Sequence, residues 1–192
     1  MLDNLQSHQL ILGSASPRRK ELLAGLGIEF EVRTIEVEET YPSYMRGIRI
    51  PMYLAEKKAD AFKHQLADND LLITADTIVL LEEQVLGKPV DKDDARRMLK
   101  RLSGRNHMVI TGVCISSTNR RRIFHSVSEV RFSVLKEQEI DFYLDTFAPY
   151  DKAGSYGIQE WIGYVGVEQI NGSFYNVMGL PVQRLYCELK KW

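Results

Sequence analysis

Near the N-terminus, Ser14-Ala15-Ser16-Pro17-Arg18-Arg19 sets two arginines directly after the apolar run Leu10-Ile11-Leu12-Gly13. An apolar run ending in small residues is the pattern of a buried strand. Ser16 suits a helix N-cap and Pro17 the first helical turn. Leu22, Leu23 and Leu26 then supply an apolar face, and Gly27 can end the helix. Two arginines are therefore expected on the first turn of a helix at the carboxyl end of a strand, where open α/β sheets bind ligands. Free N–H groups and the positive end of the helix dipole favour an anion there. Guanidinium groups add planar, bidentate donors for phosphate. The competing reading is a solvated first turn. A Walker A loop is excluded, because no Gly-Lys-Ser/Thr follows, and so is a Gly-x-Gly-x-x-Gly dinucleotide fingerprint.

Four further clusters carry chemistry. Asp76-Thr77 follows Leu71-Leu72-Ile73-Thr74-Ala75 and puts a carboxylate at an expected strand end, suited to metal binding or base work. Gly87-Lys88-Pro89 fixes a loop around one lysine. Asp151-Lys152-Ala153-Gly154-Ser155-Tyr156-Gly157-Ile158-Gln159 combines small residues, which let backbone approach a ligand, with an amide that bonds a base or phosphate edge. Glu38-Glu39 pairs with Lys58 as a candidate cation site. Taken singly, each also reads as an ordinary turn, connector or charged rim. His8, His64, His107 and His125 lack metal-ligand spacing and read as structural or surface residues. Ser14 and Ser16 have no His–Asp arrangement for nucleophilic catalysis. Arg120, Arg121 and Arg122 read as a solvated hairpin tip. Trp161, Tyr164 and Tyr175 read as packing residues rather than base-stacking ones.

The elements that must position these groups alternate between strand–helix units and hairpins. After the first unit, Phe30 to Val37 reads as a strand and Pro51 opens a helix carrying Lys58. Leu71 to Ala75 reads as a central strand, and Ile78 to Leu81 pairs with Gln84 to Leu86. Asp91 caps a helix reaching Leu102. Val109 to Ser117 and Ile123 to Val134 form a second hairpin, followed by a short helix from Lys136 to Asp145. Tyr164 to Ile170 and Phe174 to Val177 flank Asn171-Gly172, a hairpin turn signal. Pro181 opens a C-terminal helix. The pattern implies an α/β fold with a mixed sheet.

Composition is consistent with this. The chain has 192 residues, 44% hydrophobic and 27% charged, and a net charge of −1. That length supports a sizeable core, and residues 1–192 read as a single two-lobed domain. No basic stripe interleaves with aromatics, so DNA is not an expected partner. Cys114 and Cys187 read as buried thiols in a reducing compartment. Residues 1–9 do not resemble a signal peptide, and no apolar run approaches the roughly 20 residues of a membrane span, so no membrane partner and a cytoplasmic location are expected.

The ordered set of motifs resembles the Maf family. It comprises Ser14 to Arg19, Glu38-Glu39, Ala55 to Ala59, Ala75-Asp76-Thr77, Gly87-Lys88-Pro89, Leu102 to His107, Asp151 to Gln159, Asn171-Gly172-Ser173 and Gly179-Leu180-Pro181. The resemblance covers residues 9 to 190. It implies a mixed, twisted α/β sheet with flanking helices and a deep cleft, similar to the inosine triphosphate pyrophosphatases. It also implies a nucleoside triphosphate pyrophosphatase that cuts between the α- and β-phosphates with a divalent cation, Mg²⁺ or Mn²⁺. Arg18, Lys58 and Lys88 match the family's phosphate-binding cations, Glu39 its cleft glutamate, Asp76 its catalytic aspartate and Gln159 its cleft glutamine. Ser14, Ser16, Arg19, Thr77 and Lys152 stand in the same motifs and join the expected substrate-binding set. Asp76 and Glu39 are the expected metal ligands.

The Ser-Pro-Arg-Arg and Gly-Ile-Gln forms resemble the branch acting on dTTP and UTP. The alternatives are a purine or 7-methyl-GTP pyrophosphatase on the same fold and a nucleotide-binding regulator of septum formation. A homodimer is compatible with either. The chain departs from the family at Thr74, where a glycine is usual, and at Ala148, where many relatives carry an acid.

Overall fold

The computed structural model describes residues 2–192. One seven-stranded mixed sheet runs in the order β2-β1-β3-β5-β6-β7, with β4 pairing β3. Its strands are β1 (Gln9–Leu12), β2 (Glu31–Val32), β3 (Asp70–Leu81), β4 (Gln84–Leu86), β5 (Asn106–Ser116), β6 (Arg121–Phe132) and β7 (Val167–Asn171). Among the described residues seven α-helices accompany it: α1 (Pro17–Ala24), α2 (Arg49–Ala61), α3 (Lys92–Leu102), α4 (Glu137–Phe147), α5 (Trp161–Gly166), α6 (Phe174–Met178) and α7 (Val182–Leu189). The expected mixed α/β architecture is thus observed. The chain divides into two compact units. The first comprises the chain up to Asp76, Thr111–Ser126 and Gly179–Trp192; the second comprises Thr77–Ile110 and Val127–Met178.

In the first unit β1 runs parallel to both β2 and β3, pairing Ile11 with Glu31 and with Leu72. Parallel strands are covered on both faces, which is why β1 and β3 read as continuous apolar runs. Ile11, Leu72 and Cys114 pack against Ala55 and Ala59 of α2 and Phe62 just past its end. Two contacts fix α2 on the strands. The Thr74 hydroxyl, fully buried, donates to the Ala55 carbonyl at 2.7 Å. On β5, a Cβ at Gly112 would stand 2.3 Å from the Pro51 carbonyl carbon, so only glycine lets the helix lie this close. Arg121 pairs with Glu56 at 3.1 Å and Asp60 at 2.6 Å, and Arg122 pairs with Glu188 of α7. Arg120 donates to the Trp192 and Lys191 carbonyls. The three arginines are exposed, as the solvated-tip reading expects, and they also tie the β5–β6 turn to helices α2 and α7.

In the second unit β3 turns at Glu82-Glu83 into antiparallel β4, pairing Val79 with Leu86 as expected. Asp91 caps α3 through Asp94 N–H at 2.7 Å. β7 pairs antiparallel with β6.

Other expectations need correction. The strand over Phe30 to Val37 shrinks to Glu31–Val32, and the rest is extended loop. Asn171-Gly172 does not join two strands, because Trp161–Gly166 and Phe174–Met178 are helices. The cause is Asn176, fully buried, whose amide donates to the Val109 carbonyl and Ser128 Oγ, both at 3.0 Å. A helical turn delivers that side chain and overrides the local turn signal. Tyr164 is 82% exposed and so is not a packing residue. Cys114 is buried, but Cys187 is only half-buried.

Candidate active site

Asp76 lies in the middle of β3, since the strand continues to Leu81 rather than ending at the aspartate. It is 6% exposed, a rare setting for a carboxylate without a partner. Burial raises its pKa above the ordinary carboxylate value, while the charges of Lys58 and Arg19 oppose that shift. Lys58 reaches it from α2, with Nζ 2.5 Å from Asp76 Oδ1. The same ammonium lies 2.8 Å from Glu39 Oε1. One lysine therefore joins two carboxylates that are 37 residues apart in sequence.

Glu39 sits in loop rather than at the strand end expected from sequence. Its loop is held by Lys57, which donates to the Glu38 carbonyl at 2.8 Å and to the Thr40 carbonyl and hydroxyl at 3.1 and 3.0 Å. Neighbouring lysines on α2 thus divide the work: Lys57 holds backbone and Lys58 meets side chains. Sequence reading missed Lys57, although it lies inside the Ala55 to Ala59 motif.

The Ser14–Arg19 segment folds as expected. Ser16 caps α1, accepting weakly from Arg19 N–H at 3.5 Å, and Pro17 occupies the first turn. Arg18 lies half-buried on that turn. Arg19 donates through Nε to the Gly179 carbonyl at 2.9 Å and through NH1 to Ser14 Oγ at 3.4 Å. Burial lowers the Arg19 pKa, with Asp76 the first counteracting charge, and a guanidinium stays protonated in such a site. Ser14, Ser16, Arg19, Glu39, Lys58 and Asp76 all belong to the first unit, and all are engaged locally.

Thr77, Lys88, Lys152 and Gln159 belong to the second unit. Thr77 follows Asp76 on β3, so the two side chains leave opposite faces of the strand. Lys88 is exposed in the loop after β4, which the Gly154 N–H ties down by donating to the Gly87 carbonyl at 3.0 Å. The Gly87-Lys88-Pro89 and Asp151 to Gln159 motifs, distant in sequence, thus meet directly. Lys152 is buried, with Nζ 2.7 Å from Asp151 Oδ1 and 3.1 Å from Glu160 Oε1. Gln159 Oε1 is sealed from solvent and has no hydrogen-bond partner among the described residues. An amide oxygen buried in this way is costly unless something donates to it.

Among the described residues no cluster of three or more His, Cys, Asp or Glu side chains could enclose a metal ion. Glu39 and Asp76 nevertheless present hard oxygen donors to one cationic centre. Two carboxylates, with phosphate oxygens and water completing the shell, is the donor set typical of Mg²⁺ in phosphate chemistry. The residues fit such a cation.

Comparison with known proteins identifies the class to which this fold and site belong. Residues 9–192 match the Maf-like protein family, and the chain belongs to that family. It is 56% identical over 192 residues to a dTTP/UTP pyrophosphatase of Phocaeicola vulgatus, covering all of both chains. It is 54% identical over 192 residues to the protein of the same name in Bacteroides thetaiotaomicron, again covering both completely. A third protein of that name, from Porphyromonas gingivalis, is 54% identical over 99% of this chain and 97% of its own. Among solved structures, the Staphylococcus aureus Ham1 protein aligns with a TM-score of 0.48 and 13% identity, over 65% of this chain and 71% of that one.

Proposed function

We propose that this chain is a nucleoside triphosphate pyrophosphatase that hydrolyses dTTP and UTP to the monophosphate and pyrophosphate in the cytoplasm. The observation that carries the reading is the buried Asp76 carboxylate on β3, joined with Glu39 to a single lysine on α2. The activity named for three relatives at 54–56% identity supports it. So does the presence in this chain of every motif of the expected substrate-binding set.

The chemistry follows from charge. A triphosphate is polyanionic and the chain is nearly neutral, so binding depends on focused cations. In the first unit, Arg18 and Arg19 on the first turn of α1 and Lys58 on α2 are the groups for that task; in the second unit it is Lys88 after β4. Ser14 and Ser16 hold the α1 turn and its arginine, and Thr77 follows the reacting carboxylate on β3 with its side chain on the opposite face. Lys152 anchors the loop that carries Gln159. Asp76 accepts the proton of the attacking water, helped by a pKa that burial raises above the ordinary carboxylate value. Glu39, with Asp76, would hold Mg²⁺ or Mn²⁺. When bound, that ion neutralises charge developing on the pyrophosphate leaving group. Gln159 carries an amide with both a donor and an acceptor, which complements the alternating edge of thymine or uracil, and a polar site of this kind discriminates against a base that leaves it unpaired.

Purified protein with Mg²⁺ or Mn²⁺ should release pyrophosphate and dTMP from dTTP. A panel of dTTP, UTP, CTP, 7-methyl-GTP and ITP should show the two named pyrimidines favoured over 7-methyl-GTP by at least about tenfold in kcat/KM, about 1.4 kcal/mol in the transition state. Formation of dTDP and phosphate would overturn the cleavage position. Equal turnover of 7-methyl-GTP would overturn the substrate class.

A further inference from the structure

We propose that Tyr143 and Glu160 are positioning residues for Gln159, clamping the chain on both sides of the amide that reads the base. The inference rests on the pyrimidine reading above and adds to it a specificity device outside the recognised motifs. Tyr143 is a fully buried side chain of α4, stacked on Phe147 with ring centroids 5.2 Å apart. Its hydroxyl accepts from Gly157 N–H at 2.9 Å and donates to Glu160 Oε2. The other oxygen of that carboxylate, Oε1, lies 3.1 Å from the buried Lys152 ammonium. The hydroxyl thus grips the backbone two residues before Gln159 and the side chain one residue after it. Lys152 ties the same carboxylate to the start of the loop.

The backbone is as tightly enclosed as the side chains. A Cβ at Gly157 would stand 2.7 Å from the Glu160 carboxyl carbon, and one at Gly163 would stand 1.8 Å from the Ile158 carbonyl oxygen. Glu160 N–H donates to the Gly157 carbonyl at 3.0 Å, and Gly163 N–H to the Glu160 carbonyl at 2.9 Å. Ile158 and Gln159 therefore have little freedom to slide. A buried ion pair adds little stability over apolar packing of the same shape. What a fully connected polar network does provide is one fixed geometry. Gln159 needs that, because its amide, whose oxygen is buried without a partner among the described residues, discriminates only if it is held in one orientation.

The test compares kcat/KM for dTTP and for 7-methyl-GTP in the wild type, Tyr143→Phe, Glu160→Gln, Gln159→Ala and Tyr143→Phe/Gln159→Ala. Tyr143→Phe should lower the dTTP preference by about fivefold or more, a coupling typical of residues in one network. The loss should appear mainly in KM for dTTP. Glu160→Gln keeps an acceptor for Tyr143 but loses the ion pair, and should lower the preference by a smaller factor. In the Gln159→Ala background, Tyr143→Phe should lower it no further. A merely structural role would slow both substrates by one common factor and would add undiminished to Gln159→Ala. Either result overturns the proposal. Should Tyr143→Phe fail to fold, Glu160→Gln alone and with Gln159→Ala decides by the same two readings. A wild type without dTTP preference instead overturns the pyrimidine reading itself, and the clamp with it.

Discussion

Lys58 meets both carboxylates of the candidate site, so each single-residue change there has a distinct consequence. Asp76→Asn keeps the shape of the side chain but removes the charge that accepts a proton. Steady-state kinetics should show kcat reduced by on the order of 10² or more. Near-normal turnover would remove Asp76 from the mechanism. Thr74→Val conserves volume but deletes the hydroxyl that pins the Ala55 carbonyl, one helical turn before Lys58. It should lower unfolding free energy by about 1 kcal/mol in denaturant titrations. It should also reduce kcat/KM, because α2 would no longer hold its lysine in one register against β3. At this scale the sequence is informative wherever a residue type is costly to keep for packing alone. Asp76 after an apolar run and the Ser-Pro-Arg-Arg turn belong to that class. Lys57 and Tyr143 do not: a half-buried helical lysine and a buried aromatic have ordinary uses, and their roles exist only through partners far along the chain.

Local signals were reliable for elements closed by their own residues. The Asp91 cap, the Pro17 turn and the Glu82-Glu83 hairpin need no distant partner, and all form where the residues place them. The alternation over Phe30 to Val37 failed because only two of its residues find a ladder partner on β1, and just beyond it Lys57 holds the loop at Glu38 and Thr40. The Asn171-Gly172 signal failed because the buried Asn176 amide is satisfied only from a helix. A related conflict persists at Ala148, which caps α4 with φ of 42° and ψ of 60°. A left-handed alanine is strained by about 1–2 kcal/mol relative to the right-handed region, and glycine is free of that strain but has more unfolded-state entropy to lose. Ala148→Gly should therefore stabilise the chain by a net of about 0.5 kcal/mol, seen as a higher urea midpoint at unchanged slope. A lower midpoint would show that the Ala148 methyl contributes packing that outweighs the strain.

Across the whole molecule, near-neutrality leaves stability against acid to a few buried groups, of which His107 is the clearest. Its Nε2 lies 2.7 Å from the Tyr156 hydroxyl, and its ring meets Phe132 and Tyr156 edge-on. Burial lowers its pKa from 6.5 to about 4. Above pH 6.5 the ring is neutral in both the folded and unfolded chain, and stability does not depend on it. Between pH 6.5 and 4 the unfolded chain takes up a proton that the folded chain resists, so stability falls as pH falls. The full effect is about 3 kcal/mol, and it saturates once both states are protonated. The half-buried His125 is lowered as well and acts in the same direction. Carboxylates with lowered values, such as Glu31 and Glu137, begin to contribute only near and below their ordinary 4.5. Asp76, whose value is raised, works oppositely, since the folded state accepts its proton more readily. Comparing wild type with a His107 variant, in which Asp76 is unchanged, therefore isolates the His107 contribution between pH 6.5 and 4.5. Denaturant titrations of wild type and His107→Gln, whose amide can still meet Tyr156, should show a stability gap that narrows by about 2–3 kcal/mol from pH 7.5 to 4.5. A gap independent of pH would mean that His107 is protonated in the folded chain as readily as in the unfolded one.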